Sequence, residues 1–182
     1  ALAMTIGLGA LVTHLTISLI AQGDASSASG PPFTTYALVA TLIMASPLTL
    51  LADRRGRFFS LSIGLLLITG GLFFLSIFQG MLTAITGMAI FGAGFGLLFP
   101  TMVTVVTESS SSLTRGRAFG FFYAVYSLGV VIGSAASGTL ADIYGETSGI
   151  PFSIGAVATL AAVLVILLVL RFVPKALERE AI

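Results

Sequence analysis

The chain has 182 residues, of which 57% are apolar and only 8% charged, with a mean hydropathy of +1.11 and a formal net charge of +1. A water-soluble domain of that composition would be coated in apolar patches, so the sequence reads as a membrane protein; basic residues spread over three loops exclude a phosphate-binding face, and no nucleic-acid partner is expected. Cys is absent and His occurs once, which excludes disulfides and thiol catalysis and leaves neither a metal site nor a cofactor expected.

Six apolar stretches follow one another, at about 2–21, 33–52, 58–78, 81–107, 117–141 and 150–173. Each approaches the roughly 20 residues that a helix needs to cross a hydrocarbon core of about 30 Å. Barrel strands would alternate polar with apolar, whereas Leu160 to Leu170 is continuously apolar. The expected fold is an all-α membrane protein: one six-helix bundle over 1–173, followed by a short cytoplasmic tail at 174–182.

Helix one carries Thr13, His14, Thr16 and Ser18 and is the most polar of the six. His14 is the only ionisable side chain deep within a stretch. Such a group is expensive to bury and is a functional candidate by default; the alternative is a neutral ring bonded to a backbone carbonyl or a neighbouring Thr. No basic leader precedes the helix, which argues against a secretory signal. With no initiator Met, the chain is expected to be part of something longer.

Helix two ends in Leu51-Ala52-Asp53-Arg54-Arg55-Gly56-Arg57, and helix five ends in the similar Leu140-Ala141-Asp142-Ile143-Tyr144-Gly145. The same local sequence thus stands three helices apart and on opposite membrane faces, as an inverted repeat of three helices plus three predicts. Gln79-Gly80 is almost the whole link between helices three and four, which must form an antiparallel hairpin. Helix four holds Gly87, Gly92, Gly94 and Gly96 before Pro100, which removes a backbone hydrogen bond and predicts a kink. Thr101, Thr104 and Thr107 share one face and are placed to satisfy the freed carbonyls.

Helix five opens with Arg115-Gly116-Arg117 and an aromatic group, Phe119, Phe121, Phe122, Tyr123 and Tyr126, read as an interfacial anchor. Gly129, Gly133 and Gly138 follow at a spacing that lets two membrane helices approach closely. Arg171, Lys175 and Arg179 close helix six. All eight basic residues therefore lie after helices two, four and six. Short basic loops stay cytoplasmic, so both termini are expected inside and Asp24, Asp142 and Glu146 outside.

The loop at residues 51–57 resembles the signature loop of the major facilitator superfamily, Gly-x-x-x-Asp-basic-x-Gly-basic, with Asp53, Arg54, Gly56 and Arg57 at matching positions. Thr49 replaces the usual Gly, and Phe58 a frequent second basic residue. Arg115-Gly116-Arg117-Ala118-Phe119-Gly120 is similar to the family's entry into helix five or eleven. The Gly129, Gly133 and Gly138 series resembles an antiporter motif in which Ser134 stands for the Pro and Ser137 for a Gly. An Arg of helix four common in amino-terminal halves is replaced near Met88, which points to the carboxy-terminal half.

The resemblance implies half of a twelve-helix secondary transporter, in which helices one and four line a central cavity. His14, Ser18, Phe91, Phe95 and Met102 would then face substrate, while Asp53, Arg54, Gly56 and Arg57 latch neighbouring helices in one conformation. Such a lining suits a small neutral or amphipathic solute moved by alternating access. The expected partners are the lipid bilayer and a second six-helix bundle, in the same chain or as a separate subunit, in the cell membrane of a bacterium or archaeon. The alternative is a non-transporting subunit that serves assembly of a larger membrane complex. An intramembrane enzyme is not expected, since His14 has no carboxylate, Cys or second His at its depth.

Overall fold

Pro47 decides where the second helix stops: it has no N–H to donate, and it pushes the preceding Ser46 out of helical geometry to ψ 159°. In the computed structural model, which describes residues 1–23, 29–50 and 56–172, that helix covers Gly30–Ala45 rather than 33–52. Pro31 and Pro32, whose missing N–H groups are harmless in a first turn, start it. A 3-10 turn, Pro47–Leu50, follows. The helices are α1 (Leu2–Ala21), α2 (Gly30–Ala45), α3 (Arg57–Ile77), α4 (Met81–Glu108), α5 (Arg115–Tyr144) and α6 (Ile150–Phe172). Five are long and apolar enough to cross a membrane; α2 has 16 residues, about 24 Å of helix. The protein is an all-α, multi-pass membrane protein, and among the described residues there is no strand.

Contacts between helices run in the order α2, α4, α3, α6, α1, α5, and the series bends back so that α5 lightly touches α4. Lipid tails are as apolar as Leu, so helices associate in a bilayer by close packing rather than by expulsion of water. Small residues make that possible here. On the seam between α1 and α5, a Cβ at Gly9 would overlap the Val130 carbonyl, and one at Gly133 would overlap the carbonyl of Ile6. Between them the core is filled by Met4, Leu11, Ile68, Leu72, Met88, Phe91 and Leu98.

Hydroxyl pairs stitch the same seams. Thr69 on α3 and Thr159 on α6 meet at 2.8 Å, Thr13 on α1 and Ser134 on α5 at 2.9 Å, and Ser60 on α3 and Thr101 on α4 at 3.3 Å. Interhelical hydrogen bonds in membrane proteins average only about 0.6 kcal/mol, because a loosened hydroxyl finds another partner. Thr159→Val keeps the shape and should therefore lower unfolding stability by less than about 1.5 kcal/mol, read from thermal melting in detergent. A loss several times larger would mean that the pair holds α3 to α6.

Helix α4 continues through Pro100 to Glu108. Thr101, Thr104 and Thr107 donate to the carbonyls of Leu97, Pro100 and Val103, each four residues back. The carbonyl that Pro100 deprives of its partner is that of Gly96. None of the three hydroxyls reaches it.

Candidate functional site

His14 is fully buried on α1. Its Nε2 lies 2.6 Å from the carbonyl oxygen of Ser148, and its ring meets the Phe152 ring edge-on with centroids 4.9 Å apart. A carbonyl can only accept, so Nε2 carries the proton and Nδ1 is left as a lone pair. Ser18, one turn on, donates to the Leu15 carbonyl of its own helix at 3.0 Å. Phe91, Phe95 and Met102 are buried on α4. Side chains turned toward a second bundle would be open on a single one; these five are covered by the bundle's own helices. Nor do they converge, since α1 and α4 are not among the principal packing pairs.

Phe91 and Phe95 instead support something that does come to the surface. Tyr36 on α2 packs 5.8 Å from Phe91 and edge-on 5.5 Å from Phe95; Phe95 stacks on Phe99 at 5.3 Å; Phe99 meets Tyr126 of α5 edge-on at 6.4 Å. Tyr36, Phe99 and Tyr126 are only partly buried. These rings bridge α2, α4 and α5 where α4 and α5 otherwise barely touch.

Depth follows from counting residues. Tyr36 and Phe99 lie nine residues from the ends of α2 and α4, and Tyr126 eleven residues from the start of α5. At 1.5 Å per residue this is about 13 to 17 Å from the helix ends on one side of the bundle. The wall of three rings and two hydroxyls therefore stands at one level inside the bundle, about two to three turns from its basic end. It offers flat apolar faces to a solute together with donors and acceptors at fixed points.

At the basic end of the bundle, Arg57 at the start of α3 forms an ion pair with Glu108 at the end of α4. Gly56, just before, has φ +92°, a left-handed conformation that explains why the turn carries Gly. Asp53 and Arg54 lie outside the described residues, as does the tail at 174–182. Arg115 and Arg117 are exposed at the start of α5. Both partners of the ion pair keep substantial exposure, 34% for Arg57 and 47% for Glu108. Arg57→Ala should then change unfolding stability by less than about 1 kcal/mol, measured by melting; a larger loss would show a pair shielded from solvent.

Of the glycine series on α5, Gly129 faces Thr5 and Leu2, and Gly133 faces Ile6, all on α1; a Cβ at Gly138 would meet nothing within 4 Å. Tyr36 and Phe99 were missed by sequence reasoning, and Tyr126 was placed at an interface. The signal lay in counting: eleven residues past a charged helix start is about three turns into the helix.

Residues 1–181 match the model of the family described as Major Facilitator Superfamily. Among curated proteins, the Quinolone resistance protein NorA of Staphylococcus aureus, in strains N315, MW2 and COL, is 25% identical over 165 residues. The match covers 90% of this chain and 42% of each relative, so the chain spans less than half the length of the curated relatives it matches.

Proposed function

The chain belongs to the major facilitator superfamily, and from this we propose that it is one six-helix half of a secondary transporter, the carboxy-terminal half, moving a small neutral or amphipathic solute by alternating access. The observation that carries the reading is the partly open wall of Tyr36, Phe99 and Tyr126 set inside the bundle where helices of the two proposed repeats meet, since transporter sites lie within the membrane at the boundary between repeats. A flat, amphipathic solute is the class such a wall would hold. The NorA relatives are named for quinolone resistance, which is in keeping with it.

The packing also supports a bundle of two inverted three-helix repeats. Exchanging α1 with α4, α2 with α5 and α3 with α6 turns the α1–α5 contact into α4–α2 and the α3–α4 contact into α6–α1, and returns α3–α6 to itself; all five are principal contacts. Arg57, Glu108, Arg115 and Arg117 stand at one end of the helices, which favours that end as cytoplasmic.

The test is transport by the full-length chain in liposomes, following extrusion of planar amphipathic dyes under an imposed proton or sodium gradient. Gradient-driven movement that purified empty vesicles lack is the expected result. One observation favours the assembly-subunit reading: among the described residues no Asp or Glu stands within the membrane interior to relay a coupling ion. Absence of movement for every dye and gradient, with a stable complex recovered on co-purification from native membranes, would put that reading first.

A further inference from the structure

The end of the bundle opposite Arg57 and Arg115 is closed by residues 145–149, which are drawn in between the helices. Exposure falls along this loop: Gly145, Glu146 and Thr147 are exposed, Ser148 is half-buried and Gly149 is buried. His14 Nε2 donates to the Ser148 carbonyl at 2.6 Å, yet His14 stands seven residues before the end of α1, about 10 Å along its axis. Gln79, in the α3–α4 link, donates from Nε2 to the Thr147 carbonyl at 2.5 Å. A Cβ on Gly149 would run into the backbone of Ser76 on α3. The loop is thus seated between α1 and α3. Beneath it lies a cavity of about 20 Å³, lined by Ser18, Leu19, Leu75, Ala84 and Phe152 among others, with room for about one water molecule.

Irregular backbone inside a membrane bundle is tolerated only where protein groups satisfy it. That requirement accounts for the one His of the chain. A Phe at the same place would meet Phe152 without polar cost, whereas the imidazole leaves Nδ1 as the only buried side-chain nitrogen or oxygen among the described residues with no hydrogen bond. A cost of that kind calls for a reason, and the reason is the other nitrogen, which holds the Ser148 carbonyl. The sequence echo sets the same four residues apart. Gly145, with φ +95° and ψ 148°, repeats the conformation of Gly56, with φ +92° and ψ 150°. Gly56 leads directly into α3, but 146–149 stand between Gly145 and α6 and have no counterpart at the basic end.

We propose that residues 146–149 are a plug seated in this end of the bundle, that His14 and Gln79 are its two anchors, and that lifting it opens a water path to Ser18 on α1. Both anchors belong to the first three helices and their link to α4, while the plug belongs to the connection from α5 to α6. Each hydrogen bond therefore ties one three-helix group to the other. The plug is a property of the bundle alone, so it is tested without solute.

The 182 residues include no Cys. A thiol introduced by Ser18→Cys therefore reports on the cavity, once any Cys elsewhere in the full-length chain has been replaced. In nanodiscs, where both membrane faces are reachable, its labelling by a water-soluble maleimide should be slow. Gln79→Met removes one anchor from an exposed position, so the fold is not at stake, and should quicken labelling about fivefold, the shift that one ordinary hydrogen bond carries. His14→Phe keeps a ring against Phe152 without the donor and should quicken it at least as much. Ser60→Cys, buried near the basic end of α3, is the comparison, and its labelling should stay within about twofold in both variants. Unchanged labelling at position 18 in either variant would overturn the proposal. So would a rise at position 60 equal to that at position 18 in Gln79→Met, which would show general loosening instead of a lifted plug.

Discussion

Gly133→Leu should unseat α1 from α5 and leave little protein that melts cooperatively. A Cβ at this position would overlap the Ile6 carbonyl oxygen and stand 2.8 Å and 2.9 Å from the carbonyl carbon and Cα of the same residue. These are main-chain atoms, which cannot turn aside as a side-chain tip can, so the helices must separate. Overpacking of a core costs about 1–3 kcal/mol; with three further side-chain carbons to place and the facing Gly9 seam opened as well, about 3 kcal/mol or more is expected. Gly138→Leu is the internal comparison, since the same helix has open space there. Melting of both variants in detergent checks the point. Equal melting temperatures would show that the α1–α5 seam yields.

Tyr126→Ala should weaken solute binding about tenfold while leaving the fold intact. Among the described residues the ring is the one aromatic bridge from α5 to Phe99, and it is partly open, so truncation removes a wall without leaving a buried void. Aromatic contacts are worth about 0.5–1.5 kcal/mol beyond the area they cover, and tenfold corresponds to about 1.4 kcal/mol. Tyr126→Phe separates the ring from its hydroxyl: a solute held by stacking keeps most of its affinity, one held by the phenol loses it. Phe121, 74% exposed on the same helix, is the control position. Titration of the full-length chain with a planar fluorescent solute gives the affinities. Loss at Phe121 equal to that at Tyr126 would remove the wall from the binding site.

Fold class was legible because it rests on long-range averages. Runs of some twenty apolar residues separated by basic loops leave few solutions other than spanning helices, and single residues hardly alter that. Helix α2 shows where averaging fails: residues 46–52 are as apolar as a span, yet Pro47 overrides the pattern by removing one donor and one allowed backbone region. His14 was legible as a singular group but not as to direction. Periodicity places it on a face of α1 without telling which neighbour covers that face, and only the packing shows α6 and the Ser148 carbonyl there. Phe95 lies about one turn before Phe99 and Phe91 about two, so successive rings differ in facing by only about 40°, and periodicity alone does not separate wall from support. Asp53 and Arg54 carry the family signature but lie outside the described residues, and their part in any latch stays with the resemblance.

The two kinds of seam in this bundle differ in what change they tolerate. Where α1 crosses α5, backbone rests on backbone, and almost any larger residue is a steric fault. Where α4 approaches α5, the rings of Phe99 and Tyr126 meet at 6.4 Å, and each can be exchanged for another side chain of similar bulk without moving a helix axis. Tolerance is therefore uneven: the packing accepts change at Phe99 and Tyr126, whereas a side chain at Gly9 or Gly133 meets main-chain atoms. On the proposed reading, the wall's preference for one solute over another is open to ordinary point substitution, with the bundle left untouched.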